Sequence, residues 1–134
     1  MIFVDTSAWF AGSVPSDSNH RPARNFLAAT DPQLLVTTDY VFDEYLTLLK
    51  VRGEATRAIE LGRRILEESV CRLIWVEKQD VFKAWTVFES YRDKGWSFTD
   101  CVSRAVIERL GIVEAFAFDE HFRQFGNVTI VPSR

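Results

Sequence analysis

Short apolar runs alternate with longer stretches of helical periodicity along most of the 134-residue sequence, which limits the chain to few architectures. Four β-rich runs stand out, at residues 2–4, 34–37, 71–76 and 115–118, and a fifth lies at residues 128–131. Between them, apolar side chains recur at steps of three and four, the period of a helix with one buried face. Residues 39–51 set Val41, Phe42, Tyr45, Leu48 and Leu49 on one side. Residues 54–68 do the same with Ala58, Leu61 and Ile65, flanked by Ile59 and Leu66. Residues 79–92 carry Val81, Phe82, Trp85, Phe88 and Tyr91, and residues 99–110 carry Val102, Ala105, Val106 and Leu110. The runs are apolar on both faces, as strands of a parallel sheet covered by helices must be. The pattern predicts an α/β fold in which helices cover a central parallel sheet. Residues 14–32 hold three of the four prolines and predict a loop with a short helix near residues 23–29. Gly53, Gly95 and Gly111 close helical patterns, where a left-handed cap is useful. No repeat or linker interrupts the pattern, so one domain over residues 1–134 is expected.

Hydrophobic residues make up 47% and charged residues 26%, the balance of an ordinary water-soluble domain. No apolar run is long enough to span a membrane. The opening Met-Ile-Phe-Val-Asp lacks the basic start of a signal peptide, so the expected location is the cytoplasm. Cys71 and Cys101 have no CxxC spacing and no adjacent histidine, and are expected as reduced, buried thiols. The net charge of −3 argues against holding nucleic acid by bulk electrostatics. Any nucleic-acid function must rest on a local site, with metal ions or a basic patch offsetting the acidity.

The carboxylates fall where such a site would form. Asp5 ends the first apolar run and Asp119 the fourth. In open parallel sheets, ligands bind at the carboxyl ends of strands where strand order reverses. Each of these acids is equally suited to cap the helix after it. Asp100 opens a helix three residues after Ser97, the spacing of a capping box, and a first-turn carboxylate can also be aimed at a site. Glu44 lies beside Leu48 at the edge of its helix's apolar stripe, with Asp43 about 100° further round. A carboxylate at a core boundary needs an arginine partner or a cation.

Carboxylates gathered together repel and resist ionisation unless compensated. A divalent cation resolves this, and oxygen ligands without histidine or thiolate favour Mg²⁺ or Mn²⁺ over zinc. Such an ion suits phosphodiester hydrolysis with water as the nucleophile. That chemistry needs no histidine base, and neither His20 nor His121 is placed for that role in sequence. The hydroxyls of Thr6, Ser7 and Thr99 adjoin the proposed ligands and are candidates to orient bound water, or simply to start helices. A dehalogenase-type phosphatase would need an acid where Ser7 stands. The paired acids and the lysine of a receiver domain are not evident, and no Gly-rich phosphate loop or nucleophile elbow occurs.

Four stretches, in order, resemble the PIN-domain ribonucleases, especially the VapC-type toxins of bacterial and archaeal toxin–antitoxin pairs. They are Phe3-Val4-Asp5-Thr6-Ser7, Asp43-Glu44 followed by Tyr45-Leu46-Thr47-Leu48-Leu49, Asp93-Lys94-Gly95-Trp96-Ser97-Phe98-Thr99-Asp100-Cys101, and Ala117-Phe118-Asp119-Glu120-His121-Phe122. Phe125-Gly126 and Ile130-Val131-Pro132 suit the end of that family. The resemblance covers essentially the whole chain. It implies a three-layer α/β/α sandwich, with Asp5, Glu44, Asp100 and Asp119 as catalytic and metal-binding residues. It also implies Mg²⁺ or Mn²⁺ as cofactor, RNA as substrate, a homodimer, and an antitoxin whose C-terminal segment occupies the active-site groove. Asp93 is read as a loop residue outside the ligand set.

Lys50, Arg52, Arg57, Arg63 and Arg64 form a local basic region able to meet RNA phosphates or an acidic antitoxin strip, or simply to be a solvated helix face. Trp85, Phe88 and Tyr91 are read as core or dimer interface, whereas Trp9, Phe10 and Trp96 lie near the site motifs as possible base-stacking groups. Two other functions compete with the toxin: a PIN-like interaction module without catalysis, and a PIN nuclease acting in RNA processing or on structured DNA without an antitoxin.

Overall fold

The computed structural model describes residues 1–133. Its strands are β1 (Ile2–Val4), β2 (Leu35–Thr38), β3 (Arg72–Ile74), β4 (Glu114–Phe116) and β5 (Thr129–Val131). Its helices are α1 (Thr6–Ser13), α2 (His20–Ala28), α3 (Asp39–Val51), α4 (Ala55–Leu66), α5 (Lys78–Ser90), α6 (Phe98–Leu110) and α7 (Glu120–Arg123). All strand pairs are parallel, in the order β3-β2-β1-β4-β5. Parallel neighbours require crossover connections, which the helices supply. The chain runs outward from β1 to β3, then returns to place β4 on the other side of β1. The reversal puts the switch point between the carboxyl ends of β1 and β4.

The register shows that helices cover both faces. Val4 stands opposite Phe116, and Phe3 opposite Ala115, so the two pairs point to opposite sides of the sheet. Phe26 of α2 packs on Phe116 at 4.5 Å between ring centroids. Phe122 of α7 stacks on Phe3 at 6.1 Å. The result is the expected three-layer sandwich, with Phe3, Val4, Val36, Ala115 and Phe116 fully buried in its middle. Close helix packing depends on small residues. A Cβ at Gly12 would lie 2.7 Å from Leu27 Cδ1, so any side chain there would push the Leu27 tip aside between α1 and α2.

Local chemistry accounts for most boundaries. The Thr38 hydroxyl accepts from the Val41 amide and starts α3. Gly111, at φ 65°, ends α6 in the left-handed cap expected of it, and Gly53 is also left-handed at φ 78°. Gly95 departs from that expectation: it is not left-handed, and its role is steric. The helix expected near residues 23–29 begins earlier, at His20, because Pro22 fits within a first turn whose amides have no partner inside the helix. Strand β4 ends at Phe116, before the end of the apolar run. Beyond it the chain is held by bonds from the Ala117 amide to Val131 O (3.3 Å) and from the Phe118 amide to Ser7 Oγ (3.0 Å). Cys71 and Cys101 are buried free thiols. No helix among the described residues is long and apolar enough to cross a membrane.

Helices α5 and α6 are tied by a buried ion pair. Arg109 donates to both oxygens of Asp80, at 2.9 and 3.0 Å. Burial alone would raise the Asp80 pKa, but the Arg109 guanidinium and the Glu77 amide overcome it and hold the pKa below the ordinary carboxylate value. Asp80 therefore stabilises the fold at neutral pH, and that contribution disappears as pH falls through its depressed folded-state pKa. Asp80→Ala is expected to cost about 3 kcal/mol, because it removes the bidentate partner of Arg109 and leaves it only Glu77, at 3.4 Å. A lowered urea midpoint at neutral pH, converging with wild type in acid, checks this.

Candidate active site

Asp5, Glu44, Asp100 and Asp119 come from four separate elements, and the charges of Asp100 and Asp119 reach both Asp5 and Glu44. Asp5 follows β1 and caps α1, accepting from the Ser7 amide at 3.2 Å and the Ser7 hydroxyl at 2.7 Å. The same hydroxyl accepts from the Phe118 amide, so Ser7 ties the end of β1 to the segment carrying Asp119. Asp119 caps α7 through the His121 amide at 2.9 Å. Asp100 is the third residue of α6 and completes a capping box, with Ser97 N to Asp100 Oδ2 and Asp100 N to Ser97 Oγ both at 3.0 Å. Glu44 sits one turn into α3 and is half-buried, whereas Asp43 beside it is exposed. The capping role of Asp5, Asp100 and Asp119 is thus real, and it coexists with their convergence.

The cluster is strained electrostatically. Burial, with the charges of Asp100 and Asp119 adding to it, raises the Asp5 pKa to about 7 despite its bonds from Ser7. Burial also raises Glu44, opposed by the Thr6 hydroxyl and reinforced by Asp100, Asp119 and Asp43. Asp100 is raised by burial and by Asp119, against the Ser97 amide and His121. Helix N-termini offset part of this repulsion, since α1, α6 and α7 all begin at the cluster.

His121 is the residue that sequence reasoning missed. Its Nδ1 lies 2.9 Å from Asp100 Oδ2 and 3.4 Å from Asp119 Oδ1. Ligand atoms of Asp100, Asp119 and His121 all lie within 4.8 Å of one another. The spacing was the available signal: a residue two beyond an N-cap in the site is carried back toward it by the first turn. The steric role of Gly95 appears here, because a Cβ would stand 3.2 Å from His121 Nε2. Trp96 donates from Nε1 to Gln124 Oε1 at 2.9 Å, pinning the loop before α6 to the end of α7.

The other candidates divide. Thr6 is buried beside Glu44, and its hydroxyl is the group that holds the Glu44 pKa down against burial. Thr99 is half-buried in the first turn of α6. Trp9 is buried, with its indole N–H on the Thr37 hydroxyl at 3.2 Å, and Trp96 is buried too, so neither offers an open stacking face. The basic region lies at the other end of α3 from Glu44, about 12 Å further along the helix at Arg52. There Arg57 is paired with Glu54, Arg64 with Glu60, and Arg52 lies over the Phe10 ring.

The residues present fit a hard divalent cation. Three of the four acids have raised pKa values, the charges of Asp100 and Asp119 act on both Asp5 and Glu44, and ligand atoms of Asp100 and Asp119 lie within 4.8 Å of each other. His121 stands among these acids, with its Nδ1 on Asp100 Oδ2 and near Asp119. This yields a pH prediction for the metal-free protein. An unfolded Asp5 ionises near 3.8 and the folded one near 7, so across that window only the folded state keeps the proton. Stability should therefore fall as pH rises through the window and level off above it. Asp5→Asn should abolish most of that fall, a gain of up to about 4 kcal/mol above neutral pH. Thermal melts in EDTA across the window check this, and adding Mn²⁺ to the wild type should restore the lost stability.

The PIN domain profile matches residues 2–128. The 23S rRNA-specific endonuclease VapC20 of Mycobacterium tuberculosis is 35% identical over 132 residues, covering 98% of this chain and 99% of the relative. The VapC ribonuclease of Archaeoglobus fulgidus is 32% identical over 89 residues, covering 66% of this chain and 55% of that protein. The crystal structure of M. tuberculosis VapC20, described as a sarcin–ricin loop cleaving toxin, superposes with a TM-score of 0.90 at 32% identity, over 98% of this chain and 100% of that one. FitAcB from Neisseria gonorrhoeae shares the fold at a TM-score of 0.72 and 13% identity, over 98% of this chain and 97% of that one. The chain belongs to the PIN-domain family and, within it, to the VapC-type endonucleases.

Proposed function

We propose that this protein is a Mg²⁺- or Mn²⁺-dependent endoribonuclease, the toxin of a VapBC-type pair, acting in the cytoplasm as a homodimer and restrained by an antitoxin. The observation that carries this reading is the electrostatic coupling of Asp5, Glu44, Asp100 and Asp119, with three of their pKa values raised. A bound divalent cation would supply an activated water and charge neutralisation on the scissile phosphate. Asp5, Glu44, Asp100 and Asp119 would hold it. Ser7 orients the Asp5 carboxylate, and His121 fixes one oxygen of Asp100. Thr6 sets its hydroxyl beside the Glu44 carboxylate and favours its ionised form. The likeness to VapC20 over nearly the full length of both chains makes structured 23S rRNA the substrate to try first. The matched region extends over nearly the whole sequence, which supports one catalytic domain across residues 1–134.

Cleavage of ribosomal RNA by the purified protein with Mn²⁺ tests this. Asp5→Asn and Asp100→Asn keep acceptor oxygens for the helix caps and remove the charge. Each is expected to reduce cleavage by at least about 100-fold, the scale of losing a key electrostatic group in a site, while leaving the protein folded. Full activity in either variant would overturn the assignment. Expression should arrest growth, and co-expression of the product of the adjacent gene should relieve it.

A further inference from the structure

Beside the acid cluster lies a cleft of about 440 Å³ lined by Phe88, Tyr91, Arg92, Lys94, Gly95, Trp96 and Cys101. Its volume falls in the range of roughly 300–1,000 Å³ found for small-ligand sites. Periodicity predicts Phe88 and Tyr91 in the core or a dimer interface, and the core is excluded, because each is 42% exposed in the single chain. Both rings are supported from behind. Phe88 rests on Trp85 at 5.9 Å and edge-on against Phe98 at 5.8 Å. Tyr91 packs on Trp96 at 5.3 Å, with the Arg104 guanidinium over both rings. Among the described residues no ring contact joins Phe88 to Tyr91, and the space they share is the cleft.

Charge and position point to the occupant. No carboxylate lines the cleft. Arg92 makes no ion pair among the described residues, and Lys94 reaches only Asp93, at 4.0 Å. In a chain of net charge −3, this is a local cationic site of the kind a polyanion needs. The cleft is also continuous with the acids. Gly95 lines it and abuts His121, which bonds Asp100, and Cys101 follows Asp100 in α6. A second copy of the chain docked here about a two-fold axis would bring like cations together.

We propose that this cleft binds an unpaired nucleobase of the RNA strand against Phe88 and Tyr91. Arg92 and Lys94 then meet the adjoining phosphates, and the next phosphodiester is presented to the acid cluster. The proposal rests on the ribonuclease reading and names the part of the surface that positions its substrate. Aromatic stacking tolerates any base, so the cleft sets position along the strand and a preference for unpaired RNA.

The test pairs two measurements on Tyr91→Ala, Tyr91→Trp and Arg92→Ala, with thermal melting to verify folding. One is steady-state cleavage of a fluorogenic single-stranded RNA with Mn²⁺. The other is binding of a short fluorescein-labelled single-stranded RNA in EDTA. Tyr91→Ala should raise KM and weaken metal-free binding about 10-fold, with kcat nearly unchanged, and Tyr91→Trp should restore both. Arg92→Ala should lower the salt slope of binding by about one. It serves alone if Tyr91→Ala fails to fold. Unchanged KM and RNA binding in folded variants would overturn the proposal, including the case where only dimerisation or antitoxin binding shifts. If the wild type cleaves no RNA with either metal, the ribonuclease reading fails, while the metal-free binding still decides the cleft.

Discussion

Repulsion among carboxylates gathered at one edge of a parallel sheet is the constraint that organises this molecule. Asp5 and Asp100 are buried, Glu44 is half-buried, and the charges of Asp100 and Asp119 push up the pKa values of both Asp5 and Glu44. Such a cluster costs stability in isolation. The fold limits that cost by placing the acids where α1, α6 and α7 begin, so that amides and helix dipoles face the charge. A bound cation would supply the compensation that remains.

That arrangement joins folding to function in single residues. Asp5 and Asp119 each cap a helix, and Asp100 completes a capping box. Replacement by alanine would remove cap and charge together, whereas asparagine separates them. Ser7 shows the same economy. One hydroxyl orients Asp5 and fastens the segment that leads to Asp119. The strand order makes this possible, because β1 and β4 are neighbours only through the return of the chain across the sheet.

The layer order and the ends of β1 and α3 were legible in the sequence because both faces of the strands are apolar and the helix periods are clean. The placement of Glu44 followed from the wheel, and Asp5 and Asp119 from strand ends. Asp100 was legible mainly through its motif, since a capping box alone fits any helix start. His121 was not legible, because its importance lies in a four-residue helix that folds back on the cluster. Gly95 read as a helix cap when it is a gap for that imidazole. Periodicity gave the aromatic stripe of α5 without telling which part of it meets the core, so the exposure of Phe88 and Tyr91 appeared only in three dimensions. Trp9 and Trp96 erred in the opposite sense: nearness to the site motifs in sequence said nothing of their burial.

The central claim is that the four acids form one cation site whose ionisation is completed by the metal. Calorimetric titration with Mn²⁺ just below neutral pH, repeated in buffers of different ionisation enthalpy, tests it most directly. With Asp5 titrating at about 7 and so about half protonated there, binding should release at least about half a proton in the wild type. In Asp5→Asn that release should drop and affinity should fall. Mn²⁺ binding without proton release, or binding that survives Asp5→Asn unchanged, would contradict the account.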